Sequence, residues 1–257
     1  MSNPATGFGY FIKGLSLINK PGVKRHVVVP LTINIVLFSV GLYYLFTEYT
    51  ALVDYLTPDT PEWMPDFLAP VIDWFVGLLW VLFAAVALII IFFTFTIIAN
   101  IVGAPFNSYL SAAVERHLTG KNPQELETSI VKQTFASIGG ELRKLLYLLM
   151  WAVLLLIISF IPLVNVLSPF LWLAFGAWML AIEYTDYPLG NRGLTFPSIR
   201  ATLREKRLLA MGFGGAATLA TMIPILNFLV MPVAVAGATA MAIEHYPTKN
   251  TAVDKSA

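Results

Sequence analysis

The chain has no cysteine among its 257 residues, which removes disulfides, iron–sulfur clusters and thiol nucleophiles together. Charge is scarce as well: 12% of the residues are charged, against roughly 25% in ordinary soluble domains. The three histidines, His26, His117 and His245, are scattered and never take a His-Glu-x-x-His spacing, so no metal site and no metal cofactor are expected. There is no Gly-x-x-x-x-Gly-Lys-Ser/Thr loop to cradle a nucleotide's phosphates, which excludes ATP hydrolysis by that route. Serine and histidine are not paired at any suggestive spacing, so no catalytic residue is assigned, no cofactor is implied, and an enzyme is disfavoured. A net charge of +1 gives no general attraction to nucleic acid. The first long apolar run begins only at Val27 and is followed by no small-residue cleavage site, so no signal peptide is expected.

What the chain does have is apolar length. With 58% hydrophobic residues it reads as an all-α integral membrane protein. Val27 to Thr47 is uncharged and roughly 21 residues long, enough to cross a hydrocarbon core of about 30 Å. Pro30 falls in its first turn, where a missing N–H costs little. Asn34 is its one strongly polar residue, placed either to hydrogen-bond a neighbouring helix or to line a pathway. The following stretch, Glu48 to Pro70, carries five carboxylates and no Lys or Arg, as a loop outside the cytoplasm would. Val71 to Gly103 is the second long span. Gly103-Ala104-Pro105 then predicts a stop or kink, and Phe106 to Leu118 continues as an amphipathic helix. Glu115 and Arg116 are adjacent and so point in different directions; buried, they need partners elsewhere, as a structural ion pair or as part of a network. Before the first span, Phe8, Phe11, Ile12, Leu15 and Ile18 share one face of a helix, which either lies on the membrane surface or packs on the protein itself.

The second half repeats. Glu141-Leu142-Arg143-Lys144-Leu145-Leu146 resembles Arg204-Glu205-Lys206-Arg207-Leu208-Leu209, and Phe160-Ile161-Pro162-Leu163-Val164-Asn165 matches Met222-Ile223-Pro224-Ile225-Leu226-Asn227. Ile182-Glu183 recurs as Ile243-Glu244, and Tyr187-Pro188 as Tyr246-Pro247. Offsets of roughly 60 residues argue for a duplicated helical hairpin, of a kind common in transporters. The apolar arms are short: roughly 17 residues for Leu145–Ile161, about 13 for Phe170–Ile182 and about 16 in the second copy, where Pro232 interrupts one. Such arms fit hairpins partially inserted in the bilayer. Asn165 and Asn227, at the tips, would cap freed backbone groups or meet a substrate.

The expected architecture is a single membrane domain over residues 1–257. It comprises an interfacial helix and turn at 1–26, two long transmembrane helices within 27–103 and cytoplasmic amphipathic helices at 104–140. Duplicated hairpins follow at 141–188 and 197–247. All 16 Lys and Arg precede Val27 or follow Gly103, which places the basic segments and both termini in the cytoplasm. Two spans with partial hairpins do not readily enclose a pore, so a homo-oligomer in the lipid bilayer is expected.

The stretch Lys20-Pro21-Gly22-Val23-Lys24-Arg25-His26 joins a Pro-Gly turn, two adjacent cations and a helix start. Helix N-termini attract anions, so this is either a cytoplasmic anchor or an oxyanion site. Together with Phe8-Gly9-Tyr10-Phe11-Ile12-Lys13-Gly14 and the continuation through Val27-Val28-Val29-Pro30-Leu31-Thr32-Ile33-Asn34, it resembles the opening of the CysZ sulfate permease family. Ala104-Pro105-Phe106-Asn107, with Val114-Glu115 and Leu118-Thr119-Gly120, is similar to that family's central motif. The resemblance implies a bacterial inner-membrane protein that brings sulfate into the cytoplasm for cysteine biosynthesis, without its own ATPase. It places the family's Gly-Leu-Arg-Arg anion segment on Gly22, Val23, Lys24 and Arg25; Lys24 keeps the charge but gives up bidentate geometry. Asn34, Asn107, Glu115 and Arg116 are the further candidates for a pathway or network. Sulfite and other oxyanions are not distinguished from sulfate, and a structural or accessory membrane subunit is the alternative reading.

Overall fold

The computed structural model describes residues 3–56, 65, 69–121 and 130–247, and among these every regular element is helical. The helices are α1 (Pro4–Leu17), α2 (Arg25–Leu56), α3 (Ala69–Thr119), α4 (Ile130–Ser159), α5 (Ser168–Gly190), α6 (Phe196–Glu205), α7 (Arg207–Thr221) and α8 (Pro224–His245). Among the described residues five segments are long and apolar enough to cross a membrane: Arg25–Tyr44, Pro70–Ile90, Gly139–Ser159, Val164–Gly190 and Leu226–His245. The chain divides into two compact units, one of residues 28–105 and one of residues 1–27 with 106–257.

The 28–105 unit consists of the membrane-length parts of α2 and α3. Their apolar side chains, among them Ile35, Phe38, Trp74, Leu78 and Leu82, are exposed, which suits a lipid solvent rather than water. Helix α2 passes the expected end at Thr47 and continues to Leu56. The rest of the acidic loop lies mostly outside the described residues.

Helix α3 excludes the stop that Gly103-Ala104-Pro105 allowed. It is a single helix of 51 residues that runs through Pro105 instead of stopping or restarting there. Proline removes one backbone hydrogen bond, a loss that surrounding structure can absorb in membrane helices. The boundary between the two units nevertheless falls at Pro105, so the Gly-Ala-Pro punctuation marks a change of unit within an unbroken helix. The helix ends where Gly120, at φ +71°, donates its N–H to Arg116 O at 2.9 Å, an ordinary left-handed helix stop. The segment 104–140 is therefore the end of α3 and the start of α4, with 122–129 outside the described residues.

The other unit is built on α7 and α8, the Gly- and Ala-rich second hairpin. Small side chains let backbones touch. A Cβ placed on Gly7 would lie 2.0 Å from Leu209 O, one on Gly14 2.1 Å from Val233 O, and one on Gly214 1.8 Å from Ala177 O. These contacts seat α1 across α7 and α8, and α7 against α5. Helix α1 starts at an Asn3 cap, whose Oδ1 accepts from Thr6 N–H at 2.8 Å, followed by Pro4. It buries Gly7, Tyr10, Phe11, Gly14 and Leu17 and leaves Phe8, Ile12 and Leu15 exposed. The expected apolar face is thus divided: Phe11 and Ile18 enter the core while the other three face outward. Close approach at glycine, not the richest hydrophobic stripe, sets the rotation of α1.

Both hairpins are present as α4–α5 and α7–α8, but most arms are longer than the sequence suggests: α4 has 30 residues, α5 has 23 and α8 has 22, unbroken at Pro232. Helix α7, with 15 residues, is the short one. The tips close without side-chain caps. Asn165 and Asn227 contribute backbone N–H groups, to Ile161 O at 3.0 Å and Ile223 O at 2.9 Å, in place of the expected side-chain role.

Candidate functional site

The turn between α1 and α2 is specified locally. Pro21 presets φ for the second position of a β-turn, and Gly22 occupies the third at φ +80°, the pattern of a type II turn. Lys20 O closes it by accepting from Val23 N–H at 3.1 Å and also from Lys24 N–H at 3.1 Å. His26 and Val27 N–H then donate to Val23 O and Lys24 O at 2.9 and 3.1 Å. Among the described residues this leaves Gly22 and Arg25 with main-chain N–H groups that have no acceptor. The Val23 N–H is spent inside the turn, and its side chain is fully buried. Val23 therefore anchors the turn, with Val27, in the same core cluster as Leu110 and Val114 of α3.

Lys20, Gly22, Lys24 and Arg25 are all exposed. None of the three cations meets a carboxylate among the described residues. Three cations elsewhere are neutralised: Lys13 pairs with Glu244 at 2.5 Å, Arg192 with Glu115 at 3.1 Å, and Lys144 with Glu141, Glu183 and Asp186 at 3.0, 2.9 and 3.2 Å. The position of the turn is held from α1, where Tyr10 O–H bonds Glu244 of α8 and also lies 2.9 Å from His245 Nε2. Burial, and secondarily the Glu244 carboxylate, raise the Tyr10 phenol above its ordinary pKa.

The remaining candidates are distributed. Asn107, Ser111 and Glu115 lie four residues apart, on one side of α3. Asn107 Nδ2 donates to Tyr187 O–H at 3.3 Å, Thr239 O–H to Ser111 Oγ at 2.9 Å, and Arg192 Nη2 to Glu115 Oε1 at 3.1 Å. Arg192 Nη1 also reaches Tyr246 O at 3.2 Å, and Asn191 Nδ2 reaches Ser108 O at 3.0 Å. Arg192 is the partner that Glu115 requires, and it was not singled out from sequence because nothing local marks it; 77 residues separate the two. Arg116 points away from this stripe, is exposed, and lies close enough to His26 for their charges to interact. Asn34 sits in the other unit, where its Oδ1 is buried without a partner among the described residues. No grouping of His, Asp and Glu suited to a metal occurs among the described residues.

Five membrane-length helical segments among the described residues make this a multi-pass membrane protein. A model of the family described as Sulfate transporter CysZ/Etoposide-induced protein 2.4 matches residues 10–232. Proteins named Sulfate transporter CysZ from Pseudomonas aeruginosa (strain LESB58) and Pseudomonas fluorescens (strain Pf0-1) are each 41% identical to it, over 236 and 248 residues. These matches cover 91% and 95% of this chain, and 93% and 96% of the two relatives. The chain belongs to this family, as its opening and central motifs indicate.

Proposed function

We propose that this chain carries sulfate across the bacterial inner membrane into the cytoplasm, supplying sulfate for cysteine biosynthesis, and that the α1–α2 turn captures the anion. The observation that carries the site is a type II turn bearing Lys24 and Arg25, exposed and unpaired, beside the free N–H groups of Gly22 and Arg25. Charge-assisted hydrogen bonds from ammonium, guanidinium and oriented amides are what a tetrahedral oxyanion needs. Arg25 can grip two oxygens at once, and Lys24 adds a point charge. The names of the relatives support sulfate as the anion. The bias of Lys and Arg supports cytoplasmic termini and a site on that side. Two long spans with helical hairpins do not readily enclose a pore, and assembly as a homo-oligomer is part of this reading.

The test is radiolabelled sulfate binding and proteoliposome uptake for the parent and for Lys24→Ala/Arg25→Ala. Loss of both activities in the variant is expected. Unchanged binding and flux would remove the turn as the site, and absence of flux in the parent would favour an accessory subunit.

A further inference from the structure

We infer that Arg116, at the far end of α3, is a third cationic ligand of the anion held at the α1–α2 turn. The inference rests on the reading of that turn as the sulfate site and adds a residue about ninety positions away in sequence, brought in by the way this unit packs. Three observations carry it. First, Arg116 is free to act: its neighbour Glu115 is consumed by Arg192 at 3.1 Å, and no carboxylate meets Arg116 among the described residues. Secondly, it is held in place. Val23 and Val27, which flank Lys24 and Arg25, are buried in one cluster with Leu110 and Val114, and these lie within two turns before Arg116 on α3. The turn and the end of α3 are therefore anchored in one packed core. Thirdly, Arg116 acts electrostatically on His26, the residue next to Arg25.

Like charges near a small exposed turn repel one another, and a divalent oxyanion relieves that repulsion. Arg116 also supplies chemistry that Lys24 lacks, a planar fork able to bond two oxygens of the same anion. A different role is open to a cation in the last turn of a helix, namely compensation of the helix dipole. That role affects stability and leaves sulfate affinity alone, so the two are separable by measurement.

The experiment is sulfate binding by calorimetry on the purified full chain in detergent, with thermal midpoints measured without sulfate. It compares the parent, Lys24→Ala/Arg25→Ala, Arg116→Gln and Arg116→Lys. For Arg116→Gln, affinity is expected to fall about tenfold or more, the range of one charge-assisted hydrogen bond, with partial recovery in Arg116→Lys. Parental affinity in Arg116→Gln, with binding lost in the turn variant, would overturn the role of Arg116 while leaving the turn intact as the site. Parental affinity in both would overturn the turn and Arg116 together. Should Arg116→Gln fail to fold, Arg116→Lys decides: a several-fold loss supports the assignment, and parental affinity overturns it.

Discussion

Replacing Arg192 with alanine takes a guanidinium away from a carboxylate that has little solvent to turn to. The Glu115 and Arg192 side chains are only 13% and 12% exposed, and they meet at 3.1 Å. Glu115 Oε2 and Arg192 Nε are buried without partners among the described residues, so the pair is imperfectly satisfied even when intact. Removing one member of such a pair leaves an uncompensated buried charge and costs about 3–5 kcal/mol. Replacing both members with apolar residues of similar volume removes the desolvation penalty as well, and is often neutral or stabilising by about 1–4 kcal/mol. Arg192→Ala should therefore be strongly destabilised, Glu115→Gln less so, and Glu115→Met/Arg192→Leu close to the parent. At about 2–4 °C per kcal/mol for a chain of this size, Arg192→Ala should unfold some 6–20 °C below the parent. The assay is thermal unfolding in detergent of the two single variants and the double, read as a double-mutant cycle. An Arg192→Ala variant as stable as the parent would refute the reasoning, because it would mean that Glu115 either reaches water or is held protonated.

Three further predictions concern backbone contacts and a titrating tyrosine. Gly214→Ala places a methyl group 1.8 Å from Ala177 O and should cost about 1–3 kcal/mol through overpacking. Gly215→Ala, where a Cβ meets nothing within 4 Å, should be neutral or stabilising by up to about 1 kcal/mol; equal unfolding midpoints for the two variants would contradict the packing described for α5 and α7. Gly22→Val forces a β-branched residue to φ +80°, with an expected cost of about 1–2 kcal/mol and weakened sulfate binding, checked by unfolding and binding on the same sample. The Tyr10 phenol is raised above its ordinary pKa of about 10. A raised acid contributes stability that is intact below the unfolded-state value and is lost as pH rises above it. Tyr10→Phe should accordingly flatten the fall of stability above pH ~10, and an unchanged slope in alkaline unfolding would count against the buried Tyr10–Glu244 contact.

Much of the architecture is legible in residue order because it depends on local chemistry or on overall composition. Uncharged runs identify α2 and α3 as membrane helices, since lipid offers no partner for charge or free backbone groups. The recurrence of Ile-Pro-x-x-Asn identifies two hairpins. Arm lengths were less legible. Hydropathy marks the apolar part of a helix, whereas backbone hydrogen bonding extends α4 and α5 into flanks that carry Glu141, Lys144, Glu183 and Asp186. Pro105 leaves a stop or a kink open for a related reason: proline is a local penalty, and an unbroken α3 is a tertiary outcome.

The candidate site divides along the same line. Pro21-Gly22 determines a type II turn by itself, because proline fixes one dihedral and glycine tolerates the positive φ that the next position needs. The sequence likewise places Lys24 and Arg25 at the start of a membrane helix. Only the tertiary structure decided that the Val23 side chain is buried in the core that holds the turn. Folding also decided that α1 presents Gly7 and Gly14 to its neighbours, and that Glu115 is claimed by Arg192, which leaves Arg116 to the turn. Dihedral preferences act between adjacent residues and can be read from order alone; ion pairs and close packing depend on distances between residues far apart in the chain, which only folding sets.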